Sequence, residues 1–459
     1  MSLSLTFSFS RQGTIKKLSD EILLTIFRYY LDSSPRNWPK LAHICRRWRR
    51  IVLESQWSLH LRLFCTPGTP VLETLHLWPA LPIVVEYGGS PVSNPPVPED
   101  EDNIVAALKQ SDRVSSIILT VTKPLLEKLP AIERPFSELE DLVLLCVDDV
   151  PLTLFSKFSI AFRWGSRLRT LHLTGVAIPA LKPLLFFSTG LVDLQLHEIS
   201  ELGYISPEVF ANALTGMPHL RTLSLHFLSS APYPATADLD LRPSKRVTFL
   251  TLRKLKYRGT SQYLDNLVAE IGASCLENID LTFLNQPPPM GILKLGQFIN
   301  RIAMHGSHRR ADILFSKHAV SVSFTRPDSP ACLELQVSCE SFSRQLSSMA
   351  VICNSFYSFL FGIEHLRVCT TQPLAKSGHD SWLTSHLAWH DYSDYKEWQT
   401  LLYIFKNTKW AYFARGLLST GVILALQSLR QRPFDRPITR FLPALHKLCI
   451  QEPDSLCRK

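Results

Sequence analysis

The spacing Leu-x-x-Leu-x-Leu recurs along this chain and limits what it can fold into more than any other feature. It occurs at Leu139, Leu142, Leu144; at Leu168, Leu171, Leu173; at Leu191, Leu194, Leu196; and at Leu220, Leu223, Leu225. Weaker copies follow at Val247, Leu250, Leu252; Leu276, Ile279, Leu281; Ile363, Leu366, Val368; and Leu445, Leu448, Ile450. The first six begin 29, 23, 29, 27 and 29 residues apart, a period that marks a stack of short supersecondary units. In each unit a strand turns alternate side chains into a shared interior, and no unit buries its apolar face alone.

The period is that of a leucine-rich-repeat-like (ribonuclease-inhibitor-like) solenoid, of the α/β class. Helical stretches are expected between strands at Ile178 to Ser188, Pro207 to Leu214 and Tyr263 to Ile271, each ended by a glycine (Gly190, Gly216, Gly272) suited to a left-handed closing turn. Ile363 lies three periods of 29 after Leu276, which predicts two further repeats across Arg310 to Val337, with strands at Ala319 to Phe324 and Leu333 to Val337. A helix is expected over Asp394 to Leu402 and a strand over Trp410 to Phe413. Strand residues that alternate with the buried leucines form the candidate substrate face. One column is His172, Gln195, Ser224, Thr251 and Asp280; the next is Thr174, His197, His226, Arg253 and Thr282. For any one of these residues an ordinary polar sheet face is an equal reading.

Two amphipathic helix patterns precede the repeats. The first runs from Leu18 to Phe27, with Ser19 able to cap it, Asp20 and Glu21 at its positive end, and a stripe of Ile22, Leu23, Ile26, Phe27 and Tyr30. The second follows Pro39 and places Leu41, Ile44, Cys45, Trp48, Ile51 and Val52 on one face, with Arg46, Arg47, Arg49 and Arg50 on the wet face. Cys45 is read as a packed, inert thiol.

The residues Leu18, Glu21, Ile26, Phe27, Ile44, Cys45, Arg46 and Trp48 stand where an F-box has Leu-Pro-x-Glu, Ile-Phe and Val-Cys-Arg-x-Trp, so this stretch resembles an F-box. It departs from the family at Ser19, where proline is common. The likeness continues through Leu61, Leu63, Cys65, Thr66 and Pro67, Trp78 to Pro82 and Glu86 to Gly89, and is similar to F-box proteins of mushroom-forming fungi. The resemblance implies three segments: an F-box helical domain over 14–60, a connecting segment with a Pro-rich acidic loop over 61–103, and the solenoid over 104–459. It further implies a substrate-recognition adaptor of an SCF-type cullin-RING ubiquitin ligase. Leu18, Ile22, Leu23, Ile26, Phe27, Leu41, Ile44, Cys45, Trp48 and Ile51 would dock on the Skp-type adaptor while the solenoid holds an unknown protein substrate. The alternative is a leucine-rich-repeat interaction scaffold without a ligase role.

Composition narrows the remaining choices. The chain has 459 residues, 46% of them apolar, which is ample for a buried core. Its ten cysteines include no CxxC pair, so neither a zinc framework nor a disulfide scaffold is expected. The absence of an Asn-x-Ser/Thr acceptor, and of a basic and apolar leader in Met1 to Ser10, predicts a cytoplasmic or nuclear protein. The longest uncharged run, Gln345 to Ile363, is broken by Ser347, Ser348, Asn354, Ser355 and Ser358, so no membrane span is expected. Phosphate loops, GxGxxG, GxSxG and HExxH are all missing, so neither an enzyme nor a cofactor is expected. His379, Asp380, His386, His390 and Asp391 are read as a polar loop, since no recognised ligand spacing organises them into a metal site. The formal charge is +9, but the arginines around Trp48 fall off its apolar stripe, so they are read as a solvated face and no nucleic-acid partner is expected.

Overall fold

The computed structural model describes residues 15–77, 80–88, 97–129, 134–146, 167–176, 185, 188–228, 246–284, 292–302, 309–326, 329–339, 341–370, 393–414, 417, 442 and 444–451. It is mixed α/β with a sheet dominated by parallel pairs, and the chain divides into two compact units, 1–148 with 160–168, and 149–159 with 169–459. Among the described residues no helix is long and apolar enough to cross a membrane. The expected helix at Ile178 to Ser188 lies almost wholly outside the described residues.

The first unit begins with α1 (Asp20–Ser33), α2 (Trp38–Ile44) and α3 (Arg46–Glu54). Ser19 caps α1 as its sequence predicts, its hydroxyl accepting from the Ile22 amide at 3.4 Å. The single helix expected after Pro39 is instead two, because Cys45 takes an extended conformation (φ −159°, ψ 167°) and caps α3 from outside. Leu23, Phe27, Leu31, Trp38, Leu41, Ile51 and Val52 form the core of this unit's helices.

The expected connecting segment is itself folded. β1 (Leu63–Cys65), α4 (Val71–Leu77), β2 (Ile83–Tyr87), α5 (Pro98–Leu108), β3 (Val114–Val121), α6 (Lys123–Lys128) and β4 (Asp141–Cys146) follow in order, and the four strands pair in parallel as β1-β2-β3-β4. The acidic run read as an exposed loop is the first turn of α5, where Pro98 needs no amide partner and the acids meet the positive helix end. Asp100 and Glu101 are buried, and Lys128 pairs with Glu101 at 3.1 Å and with Asp102 at 2.9 Å.

The second unit contains β5 (Thr170–Thr174), β6 (Asp193–Ile199), α7 (Pro207–Leu214), β7 (Thr222–Phe227), β8 (Val247–Phe249), β9 (Lys254–Gly259), α8 (Ser261–Glu270), β10 (Ile271–Ala273), β11 (Asn278–Leu284) and α9 (Leu293–Arg301). It continues with β12 (Arg310–Phe315), β13 (Ala319–Arg326), β14 (Ser329–Ser338), α10 (Phe342–Ser355), α11 (Tyr357–Leu360), β15 (His365–Thr370), α12 (Ser393–Ile404), β16 (Trp410–Ala414) and β17 (Lys447–Gln451). Its main sheet runs β5-β6-β7-β9-β11-β14-β13-β12-β15-β16-β17. Alternate residues of β5, β6, β7, β9 and β11 point into the core, so Leu171, Leu194, Leu223, Leu255 and Ile279 share one buried row, as do Leu173, Leu196, Leu225, Tyr257 and Leu281.

Four expectations change in this unit. Val247, Leu250 and Leu252 do not form a main-sheet strand: β8 pairs with β10 in a separate two-stranded sheet, and Leu250 is 71% exposed. Arg310 to Val337 holds no pair of parallel repeats. β13 is antiparallel to both β12 and β14, while β14 pairs in parallel with β11 and β12 with β15. The left-handed glycines among the described residues are Gly68, Gly88 and Gly175, not Gly190, Gly216 or Gly272. Gly272 lies inside β10, and the Gly216 amide donates to the Ala213 carbonyl in an ordinary turn. Finally, Leu448 and Ile450 of the last copy are exposed rather than buried.

Buried polar groups hold the connections in place. The Gln345 side-chain amide, fully buried on α10, donates to the Ser316 carbonyl at 3.0 Å and to that of Cys339 at 2.6 Å, tying down both ends of the β13–β14 hairpin. Asp265 on α8 accepts the Leu295 amide at 2.8 Å, supplying a cap that the α9 sequence lacks.

Candidate interaction surfaces

The first candidate surface is α1. Its helical period carries two apolar stripes: Leu23, Phe27 and Leu31 face the core, while Ile22 (49% exposed), Ile26 (48%) and Tyr29 (80%) face outward at spacings of four and three. Tyr30, the last residue of the expected apolar stripe, also lies on the outside. The Phe27 ring packs on Trp48 with centroids 4.7 Å apart and planes tilted by 58°.

The arginines after Cys45 tie these helices together rather than simply meeting water. Arg47 bonds to Asp20 at 2.5 Å and donates to the Leu18 carbonyl at 2.6 Å; Arg50 reaches the other Asp20 oxygen at 3.1 Å. The Arg47 hydrogen bond holds the Asp20 carboxyl below its usual range. Arg49 donates back to the Ala42 carbonyl at 3.0 Å. Of the residues assigned to adaptor docking, Leu23, Phe27, Leu41 and Ile51 are buried, Leu18 and Trp48 half-buried, and Ile22, Ile26, Ile44 and Cys45 exposed. Cys45 thus leaves the buried stripe expected of it, because the helix breaks there and aims its side chain outward.

The second candidate surface is the polar face of the second unit's sheet. Strand pairing brings His172, Gln195 and Ser224 into one row, and Thr174 with His197 into the next. The His197 and His226 rings stack with centroids 4.1 Å apart and planes within 6°. The buried Ser224 hydroxyl stands between their Nε2 atoms, at 3.0 Å from His197 and 3.3 Å from His226. One hydroxyl proton serves only one of them, so at least one of the two rings donates its Nε2–H to the Ser224 oxygen.

Burial, a neighbouring imidazole and nearby cations act on both rings. His226 is pushed down to about 4, first by burial, then by His197, Arg258 and Lys256. His197 is lowered by burial, His172 and Lys256, with Asp193 opposing. Asp193 also lies 3.3 Å from His172 and accepts from Gln195 at 3.2 Å.

Register excludes two of the expected residues from this face. Thr251 precedes β9, and its hydroxyl donates to the Leu220 carbonyl at 2.8 Å; Arg253 pairs with Glu277 at 2.5 Å. The positions beside Ser224 and His226 belong to Lys256 and Arg258, whose partners on the far side are Asp280 and Thr282. The sequence carried the signal for this as Leu252, Leu255 and Tyr257, a copy with tyrosine in the third place.

His379, Asp380, His386, His390 and Asp391 lie outside the described residues. Among the described residues no cluster of three or more His, Cys, Asp or Glu could hold a metal ion. A cleft of about 410 Å³ in the first unit is lined by Arg62, Arg113 and Arg167 and by Asp112, Glu138 and Glu140, a balanced charge that selects no ligand sign. No protein-family model matches the chain, and no curated protein matches it, so its functional reading rests on these two surfaces.

Proposed function

We propose that the chain is a substrate-recognition adaptor of an SCF-type cullin-RING ubiquitin ligase. Its N-terminal helices act as an F-box that docks on the Skp-type adaptor, and its second unit, a leucine-rich-repeat-like solenoid interrupted by an antiparallel hairpin, holds a protein substrate. The observation that carries this reading is the division of labour on α1: one stripe is spent on the core, while Ile22, Ile26 and Tyr29 remain outside as an uncovered apolar face. Exposed isoleucines and tyrosines at helical spacing suit a helix-in-groove partner. The sequence resemblance at Leu18, Glu21, Ile26, Phe27, Ile44, Cys45, Arg46 and Trp48 supports the same assignment. The protein does no bond chemistry of its own; it raises the local concentration of a target near a ubiquitin-loaded enzyme.

Co-expression with the host's Skp-type adaptor tests this reading. The wild-type chain is expected to co-purify with the adaptor, and Ile22→Asp with Ile26→Asp to abolish the complex. Both side chains are about half exposed, so the variant keeps its circular dichroism spectrum. A folded wild type that leaves the adaptor behind would refute the ligase role and favour a free-standing interaction scaffold.

A further inference from the structure

The side of β9 that faces away from the buried leucines carries Lys254, Lys256 and Arg258 at alternate positions. Lys254 and Arg258 are exposed and Lys256 half-buried, and among the described residues none of the three forms an ion pair. Successive members stand roughly 6.6 Å apart, two strand residues of about 3.3 Å each.

The two flanks of this strip differ. On the β7 side their register partners are Thr222, Ser224 and His226, none of them acidic. On the β11 side the partners are Asn278, Asp280 and Thr282, with Glu334 of β14 beside Asp280. Asp280 and Glu334 therefore repel an anion from one flank, while on the other the nearest acid, Asp193, stands one strand further off beside Thr222 and is engaged by His172 and Gln195, leaving hydroxyl and imidazole groups next to the cations. Lys256 and Arg258 both help to hold His226 neutral, so their positive field reaches the β7 side.

We propose that this face, over β7 and β9, docks an extended acidic segment of a partner protein, with carboxylates at alternate residues meeting Lys254, Lys256 and Arg258. An extended chain places alternate side chains on one side at the same spacing as the cations. A helix would need its carboxylates three and four residues apart to line one face, so the sequence spacing of the acids separates an extended partner from a helical one. The proposal rests on the ligase reading only in calling that partner a substrate. The charge and register arguments stand without it, and adaptor co-purification is scored separately, so either can fail alone.

Fluorescence anisotropy on the full chain at physiological ionic strength tests the inference with two labelled peptides of equal composition. One carries glutamate at alternate positions and the other at every third position. The alternating peptide is expected to bind at least about tenfold tighter. Lys256→Gln with Arg258→Gln should lose that preference, while Arg253→Gln, whose parent residue is paired to Glu277 off this face, should keep it. The reversed variant, Lys256→Glu with Arg258→Glu, should instead take a peptide of alternating lysines, which separates lost charge from lost fold. Equal binding of the two glutamate peptides, no binding by the wild type, or undiminished binding by the Gln variant would overturn the proposal. So would tighter binding of a single-stranded oligonucleotide of matched charge, which would make the strip a general polyanion surface.

Discussion

His226 gives the chain a stability that depends on pH in a window set by one ring. Burial, and after it the stacked His197 ring and the cations on β9, move it from the ordinary imidazole value of 6.5 to about 4. Above 6.5 both the folded and unfolded chains hold it neutral. Between 6.5 and about 4 the unfolded chain takes up a proton that the folded chain refuses, so stability falls as the pH falls, and below about 4 the loss is complete. At about 1.36 kcal/mol per pH unit the full window is worth at most ~3.4 kcal/mol, of which about 2 is lost by pH 5. The ring is only half-buried, so solvent screening reduces the loss at that pH to about 1 kcal/mol. Urea unfolding of the wild type and of His226→Gln at about pH 7.5 and about pH 5 isolates the effect, since distant carboxylates act on both chains alike. The wild type is expected to lose about 1 kcal/mol more than the variant on acidification. Equal losses, or a His226 ring that titrates by NMR near 6.5, would refute the reasoning.

Other perturbations separate packing from surface. Phe27→Ala empties a fully buried site against Trp48 and should cost about 3–5 kcal/mol, whereas Ile26→Asp on the outer stripe should move stability by less than about 0.5 kcal/mol; differential scanning calorimetry compares them. Gly88 has φ +90°, and an added Cβ would lie 2.0 Å from the Thr120 hydroxyl, so Gly88→Ala should lower the unfolding midpoint of the first unit by the equivalent of about 1–3 kcal/mol. Gln345→Leu strands the Ser316 and Cys339 carbonyls. It should cost about 2–3 kcal/mol, with faster amide exchange confined to β13, β14 and their turn.

Period and capping made much of the architecture legible in the sequence. Ser19 and the acids after it placed the start of α1, Pro207 to Leu214 matches α7 to the residue, and Leu139, Leu168, Leu191 and Leu220 are all buried at 2% exposure or less. Strand direction was not legible, because alternate burial has period two in both parallel and antiparallel pairs; β13 and β14 were located but their sense was not. The break at Cys45 was hidden since apolar spacing continues on either side of one extended residue. The fifth copy was misread because Leu250 and Leu252 fit the leucine template better than Leu255 and Tyr257. That substitution displaced Lys256 and Arg258 from the candidate face. Cross-strand features such as the Ser224 hydroxyl shared by two rings require knowledge of register, which the linear sequence supplies only where its motif is unbroken.

The antiparallel strand β13 also governs how the second unit assembles. The other parallel partners described in this sheet lie closer in sequence, as Leu171 and Leu194, 23 residues apart. β11 instead waits for β14, with Ile279 and Leu333 separated by 54 residues, and β12 waits for β15, with Ala311 and Leu366 separated by 55. Growth by adding one unit to the last therefore stops at β11 and resumes only when three strands arrive together, so the sheet contains an internal folding barrier with a slower, longer-range closure. Until that closure the nascent chain carries two unpaired strand edges rather than one. The pairings that enclose β12 to β14 thus carry the greatest loop-closure cost among the described strand pairs and leave sheet edges open longest.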